Sequence, residues 1–157
     1  MRNADQVELF LRLMLAFGIG GAIGFEREFR GHEAGIRTMG LVCLGSAMFG
    51  EVSTAFGDSR VAAGVVQGIG FLGAGLIITR GLTVLGATTA VTVWAVAGLG
   101  LLVAEELWLA ALLSAGATIV FLELSPVSDW VLSHGRPNSE ARQLAEARNS
   151  PPEKDDE

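Results

Sequence analysis

The chain has 157 residues, half of them hydrophobic, with 21 glycines, no tyrosine and a formal net charge of −6 at pH 7. Its mean hydropathy is +0.47, and the apolar residues are gathered into long runs instead of being spread over amphipathic faces. That pattern argues against an ordinary soluble domain and against a basic nucleic-acid binder.

The first run covers about residues 7–25. Asp5, Glu8 and Arg12 interrupt its start, it continues to Phe25, and no small-residue cleavage pattern precedes Glu26-Arg27-Glu28. It is therefore expected to stay in the mature protein and not to be a signal peptide. Glu8 and Arg12 stand at i, i+4, the spacing of a local ion pair. Gly18, Gly20, Gly21 and Gly24 supply small residues for close helix packing.

The second run spans about 37–56, the third 61–79, the fourth 84–103 and the fifth, the shortest, 107–124. About 20 apolar residues cross a ~30 Å hydrocarbon core, so the fold class expected is an all-α integral membrane protein of about five spans. The connections, 26–36, 57–60, 80–83 and 104–106, are short, which makes sequential helices antiparallel neighbours within one domain, residues 1–124. With the N-terminus outside, the cytoplasmic side receives Arg27, Arg30, Arg37, Arg80, Arg136, Arg142, Arg148 and Lys154. The outer side receives Arg2, Arg12 and Arg60. This eight-to-three asymmetry favours N-outside, C-inside.

After the fifth span, Ser125-Pro126 reads as a helix N-cap with proline in the first turn. Residues 125–134, with Trp130, suit an interfacial helix, and the polar stretch 135–157 suits a mostly disordered cytoplasmic tail. Much of the net negative charge belongs to that tail, in Glu153, Asp155, Asp156 and Glu157 against Lys154, so it says little about a binding surface.

Few residues suggest chemistry. Gly68-Ile-Gly70-Phe-Leu-Gly73 has the spacing of a dinucleotide-binding fingerprint, but it lies inside an apolar run without the strand, helix and acidic residue that the fingerprint needs. Gly64, Gly68, Gly70, Gly73 and Gly75 are better read as a packing surface, or as a place where a broken helix exposes carbonyls to an ion pathway. The Gly-Ile-Gly fragment shared by spans 1 and 3 hints at a parallel repeat. The lone Cys43 reads as a small apolar residue.

Glu51 has two readings, a protonatable or cation-binding carboxylate, or a side chain that reaches outer water. Gln67 is a candidate interhelical hydrogen-bond donor, and Glu123 closes the fifth span at the cytoplasmic interface. The densest polar cluster is the first cytoplasmic loop, from Glu26 to Thr38. Its alternating charges permit a local salt-bridge network. Equally, Glu26, Arg27, Arg30, Arg37 and Thr38 are candidates for binding anionic lipid headgroups or a partner protein. Adjacent guanidinium groups make a Mg²⁺ site there unfavourable, and no metal site is assigned. With only His32 and His134 available, no Ser/His/Asp or Cys/His set points to catalysis, and no cofactor is expected.

At this loop the sequence resembles a known family. Gly24-Phe-Glu26-Arg27-Glu-Phe-Arg30, Ala34-Gly35-Ile-Arg37-Thr38 and Leu41-Val42 are similar to the signature of the MgtC/SapB family. So are Asp58-Ser-Arg60 leading into Gly68-Ile-Gly-Phe-Leu-Gly-Ala-Gly75, and Gly86, Thr89-Ala90, Trp94 and Gly100 in the fourth span. The resemblance covers about residues 9–124. It implies a multi-pass bacterial inner-membrane protein linked to survival in low magnesium and, in pathogens, to growth inside host cells. Members look more like regulators of other membrane machinery than transporters, interaction with the F-type ATP synthase has been proposed, and no enzymatic activity is implied.

The alternative function is a small oligomeric transporter or channel for a cation such as Mg²⁺, with Glu51 and the carbonyls near Gly68 to Gly75 along its route. The partners expected are the lipid bilayer and either a membrane protein or further copies of the chain. The virulence-associated members carry a Glu after span 3 and an Asn and a Cys in span 4, where this sequence has Arg80, Thr88 and Ala95. Those members also have a soluble C-terminal domain, where a short polar tail stands here.

Overall fold

In the computed structural model the described residues are 3–80 and 83–124. They form α1 (Asn3–Phe29), α2 (Ile36–Phe56), α3 (Ser59–Leu76), β1 (Ile78–Arg80), β2 (Thr83–Leu85), α4 (Ala87–Ala104) and α5 (Trp108–Leu122). The chain divides into two compact units, residues 1–121 and 122–157, and the description below concerns the first. The expected interfacial helix at 125–134 and the tail at 135–157 lie outside the described residues.

Four of the helices, α1 to α4, are long and apolar enough to cross a membrane, and α5 is apolar but has 15 residues. Large apolar side chains point outward along them: Phe71 is 83 % exposed and Leu109 71 %. Exposed apolar surface on this scale is costly in water and ordinary against lipid tails. The protein is an all-α membrane bundle.

The core lies where α1, α2 and α4 meet, and its largest fully buried side chains are Ile23, Met39, Cys43, Val93, Val96 and Val103. Small residues bring these backbones together. On α2, Gly40, Cys43, Ser46, Ala47, Gly50 and Ser53 recur at three- and four-residue spacings and are all buried. A Cβ at Gly50 would come within 2.5 Å of the Ala104 methyl, and one at Gly24 within 2.6 Å of the Gly35 carbonyl oxygen. Gly20 lies against the Met39 carbonyl and Gly100 against the Cys43 carbonyl, each leaving no room for a side chain. The packing role expected for span 1 thus falls on Gly20 and Gly24, while Gly18 faces open space.

Two hydroxyls inside the spans are satisfied by their own helix. Thr92 Oγ1 donates to the Thr88 carbonyl at 2.7 Å and Thr118 Oγ1 to the Ser114 carbonyl at 2.8 Å, the i−4 bonding that spares a polar group exposure to hydrocarbon.

Two boundaries depart from the sequence expectation. Spans 3 and 4 do not reach Thr79 and Val84: α3 stops at Leu76, α4 starts at Ala87, and an antiparallel hairpin pairs Ile78 with Leu85, Thr79 with Val84 and Arg80 with Thr83. The β-branched run Ile77-Ile78-Thr79 favours extended backbone, and Ile77 already adopts it at φ −90°, ψ 115°. Gly86 then turns the chain at φ 81°, against the Leu76 carbonyl, where no side chain fits. At the other boundary α1 continues through Phe29, so Glu26 and Arg27 belong to a helix and the connection shrinks to residues 30–35.

Candidate functional site

Charged side chains collect at both ends of the bundle. At one end Arg12 of α1 is the hub. It pairs with Glu8 one turn away, and its Nη1 lies 2.7 Å from Glu106 Oε1 and 3.7 Å from Glu51 Oε1. Its guanidinium also stands 5.6 Å from the Trp108 ring centroid, within cation–π range. Glu106 reaches it from the α4–α5 turn, where it holds a left-handed φ of 59°. Beside this group Thr54 Oγ1 is 3.1 Å from Glu105 Oε1. One cation thereby ties α1, α2 and the α4–α5 turn together.

The i, i+4 pair of Glu8 and Arg12 is as the spacing implied. The wider network is not visible in local sequence, because Glu51 and Glu106 approach only through tertiary packing. Glu51 Oε1 lies 3.7 Å from the guanidinium without a hydrogen-bond partner among the described residues, and its side chain is only 21 % exposed.

Asp58 and Arg60 serve the fold nearby. Asp58 caps α3 by accepting from the Arg60 backbone N–H at 3.0 Å, and Ser53 Oγ donates to the Asp58 carbonyl at 2.8 Å. Gly57, at φ 64°, ends α2 in the left-handed conformation that glycine adopts without strain.

At the opposite end, Arg27 is not a surface group of a loop as expected. It is 2 % exposed, and its Nη2 donates to Thr89 Oγ1 at 2.8 Å in the first turn of α4. This bond joins two spans, so Arg27 and Thr89 are structural partners. Glu26 pairs along the helix with Arg30 at 2.8 Å, part of the local salt-bridge network that the alternating charges allowed. Glu28 accepts from the Ile36 backbone N–H at 3.0 Å and so pins the start of α2. Arg37 and Thr38 remain exposed and, with Glu28, His32, Glu33 and Gly35, line a polar hollow of about 240 Å³.

The glycine-rich third helix behaves differently from the expectation. Of its five candidate glycines only Gly73 packs inside the chain, with Ala90 3.5 Å from a Cβ placed on it, while Gly64, Gly68, Gly70 and Gly75 have open space beside them. Trp94, half exposed, lines a small recess with Gly70 and Gly73 between α3 and α4. Gly64 and Gly68 border a larger apolar groove of about 800 Å³ between α2 and α3, walled by Leu41, Phe49 and Leu72. The shared Gly-Ile-Gly fragment therefore does not mark equivalent environments throughout, since Gly20 is closed in by α2 and its counterpart Gly70 is open. Gln67 is exposed and forms no interhelical hydrogen bond among the described residues. A primary amide in hydrocarbon without partners costs roughly 4–8 kcal/mol.

Among the described residues no group of three or more His, Cys, Asp or Glu side chains is arranged to hold a metal ion. Of the positions that differ from the virulence-associated pattern, Arg80 lies in β1, Thr88 and Ala95 on α4.

The model of the MgtC family matches residues 13–129. The chain is 53 % identical over 91 residues to "Protein MgtC" of Brucella abortus, covering 55 % of this chain and 38 % of that protein. It is 39 % identical over 129 residues to the "Putative magnesium transporter YhiD" of Escherichia coli, covering 74 % and 60 %. With "Protein SrpB" of Synechococcus elongatus it shares 40 % over 138 residues, 76 % of each. The chain spans about half the length of the first curated relatives it matches, between 38 % and 60 % of each. No solved structure matches it significantly. Three quarters of the sequence, including every span described above except the start of α1, falls within one family model, and the chain belongs to the MgtC family.

Proposed function

We propose that this chain is a non-enzymatic regulator of another membrane complex, acting in adaptation to low magnesium. The observation that carries this reading is the position of Glu51. It is the one acidic residue of α2, and Arg12 Nη1 stands 3.7 Å from it while holding Glu106 at 2.7 Å. Mg²⁺ needs a near-octahedral set of oxygens and is reluctant to lose its water, so a carboxylate facing a guanidinium is a poor ligand for it.

The exposed polar surface at the opposite end, Arg37 and Thr38 with His32 and Glu33, is the partner contact in this reading. The F-type ATP synthase is the partner that the family resemblance suggests. The bundle sits in the bacterial inner membrane with the Arg30–Arg37 end in the cytoplasm. Support for that orientation comes from Arg27, Arg30, Arg37 and Arg80 gathering at one end, against Arg12 and Arg60 at the other.

A second reading, cation transport, draws on the name of the Escherichia coli relative, and would route the ion between copies of the chain. In a strain whose growth at low magnesium depends on this protein, Arg37→Ala is expected to reduce growth to that of the strain lacking it. The amount of inserted protein is expected to stay unchanged, because Arg37 is exposed and has no hydrogen bond or ion pair to another helix among the described residues. Undiminished growth would contradict a contact role for this surface.

A further inference from the structure

We propose that α3 is the contact surface for a second copy of this chain, with the two Gln67 amides hydrogen-bonded to each other across a two-fold axis. An 18-residue helix is ~27 Å long, close to the thickness of the hydrocarbon core. Gln67 stands midway along it, so its amide lies near the membrane centre. It is exposed there and has no partner among the described residues. Lipid tails supply neither donor nor acceptor, so the amide needs a protein group.

A primary amide carries both an N–H donor and a carbonyl acceptor. It is therefore complementary to itself under two-fold symmetry, the commonest arrangement of soluble homo-oligomers. No chemically different partner is needed to satisfy it.

The surroundings of Gln67 fit a second helix. Arg60, Gly64, Gln67, Phe71 and Gly75 recur at spacings of three and four residues and share one face. Gly64, Gly68 and Gly75 have nothing within 4 Å of where a Cβ would stand, so another backbone has room to approach closely, as small-residue interfaces in membranes require. Of α3 only Ile69 and Gly73 are buried, and both lie on the side that meets α4. The groove of about 800 Å³ that borders Gly64 and Gly68 gives bulky flanking side chains a place to lie. This interface is independent of whether the chain regulates a complex or carries an ion.

The test is Förster transfer between labelled copies of the full chain in vesicles of phosphatidylcholine and phosphatidylglycerol, over a range of protein-to-lipid ratios. Concentration-dependent dimers are expected. Gln67→Leu and Gly64→Leu should each weaken association about tenfold, the scale of an interhelical hydrogen bond or a lost small-residue contact. Gln67→Asn should retain dimers, and Leu109→Ala, on the exposed side of α5, should change nothing. Both leucine variants have room to fold, and unchanged helicity and monodispersity check that they do. Gly64→Cys in a Cys43→Ala background should also cross-link copy to copy on oxidation. Monomers at every ratio, dimers indifferent to both α3 leucine variants, or dimers that fail to cross-link through position 64 would each overturn the proposal.

Discussion

Gly100→Val is expected to prevent the bundle from closing, whereas Gly68→Val, the same change on another span, leaves it folded. Gly100 on α4 lies directly against the Cys43 carbonyl, with the Ser46 side chain 2.8 Å and the Ala47 nitrogen 3.0 Å from where a Cβ would stand. Two of these three atoms belong to the α2 backbone and cannot rotate away. Overpacking a core that can rearrange costs typically 1–3 kcal/mol, and a backbone contact at the centre of the α2–α4 seam should exceed about 3 kcal/mol. At Gly68 the new side chain meets open space. Thermal unfolding in detergent, followed by helicity and gel filtration, separates the two cases. Equal stability of the variants would show that the seam is looser than its geometry implies.

The second large effect is expected at Arg12. Replacing it with Leu leaves Glu51 and Glu106 facing one another without the cation between them. Breaking a buried ion pair by removing one partner costs ~3–5 kcal/mol. Because Glu106 is 59 % exposed, solvent screens part of the imbalance, and a loss of about 2–3 kcal/mol is the better expectation. Adding Glu51→Gln should restore much of the stability, since the second change removes the carboxylate left without its counter-ion. A double-mutant cycle measures this coupling. Additive losses would mean that Arg12 stabilises the bundle through packing and its stacking on Trp108 and not through Glu51.

Both effects bear on what a sequence of this kind reveals. The long apolar runs announce the membrane helices because hydrocarbon thickness fixes their length, and α1 to α4 lie where those runs lie. Helix packing is legible from the small residues of α1, where Gly20 and Gly24 close on α2, while the like face of α2, with Gly40, Cys43, Ala47 and Gly50, drew no such reading from the sequence. The same rule misdirects attention on α3. Gly64 and Gly68 have the right spacing, yet a sequence does not say whether the helix that fills such a face belongs to the same chain. The hairpin at Ile78–Leu85 was hidden because Ile78, Val84 and Leu85 extend the apolar runs on either side of it. Arg27 was hidden by its neighbours, since a mixed-charge run reads as a solvated loop, while its bond to Thr89 joins residues far apart in sequence. Arg12 shows both limits: its local partner Glu8 follows from spacing, and Glu51 and Glu106 follow only from the fold.

The regulator reading stands on the Arg12 guanidinium beside Glu51, and Mg²⁺ uptake into proteoliposomes tests it most directly. The full chain, shown to be folded and inserted, is compared with empty vesicles and with the Glu51→Gln variant. No uptake above empty vesicles is the predicted result. Uptake that Glu51→Gln abolishes would contradict the account and make the α1–α2 end of the bundle part of an ion route.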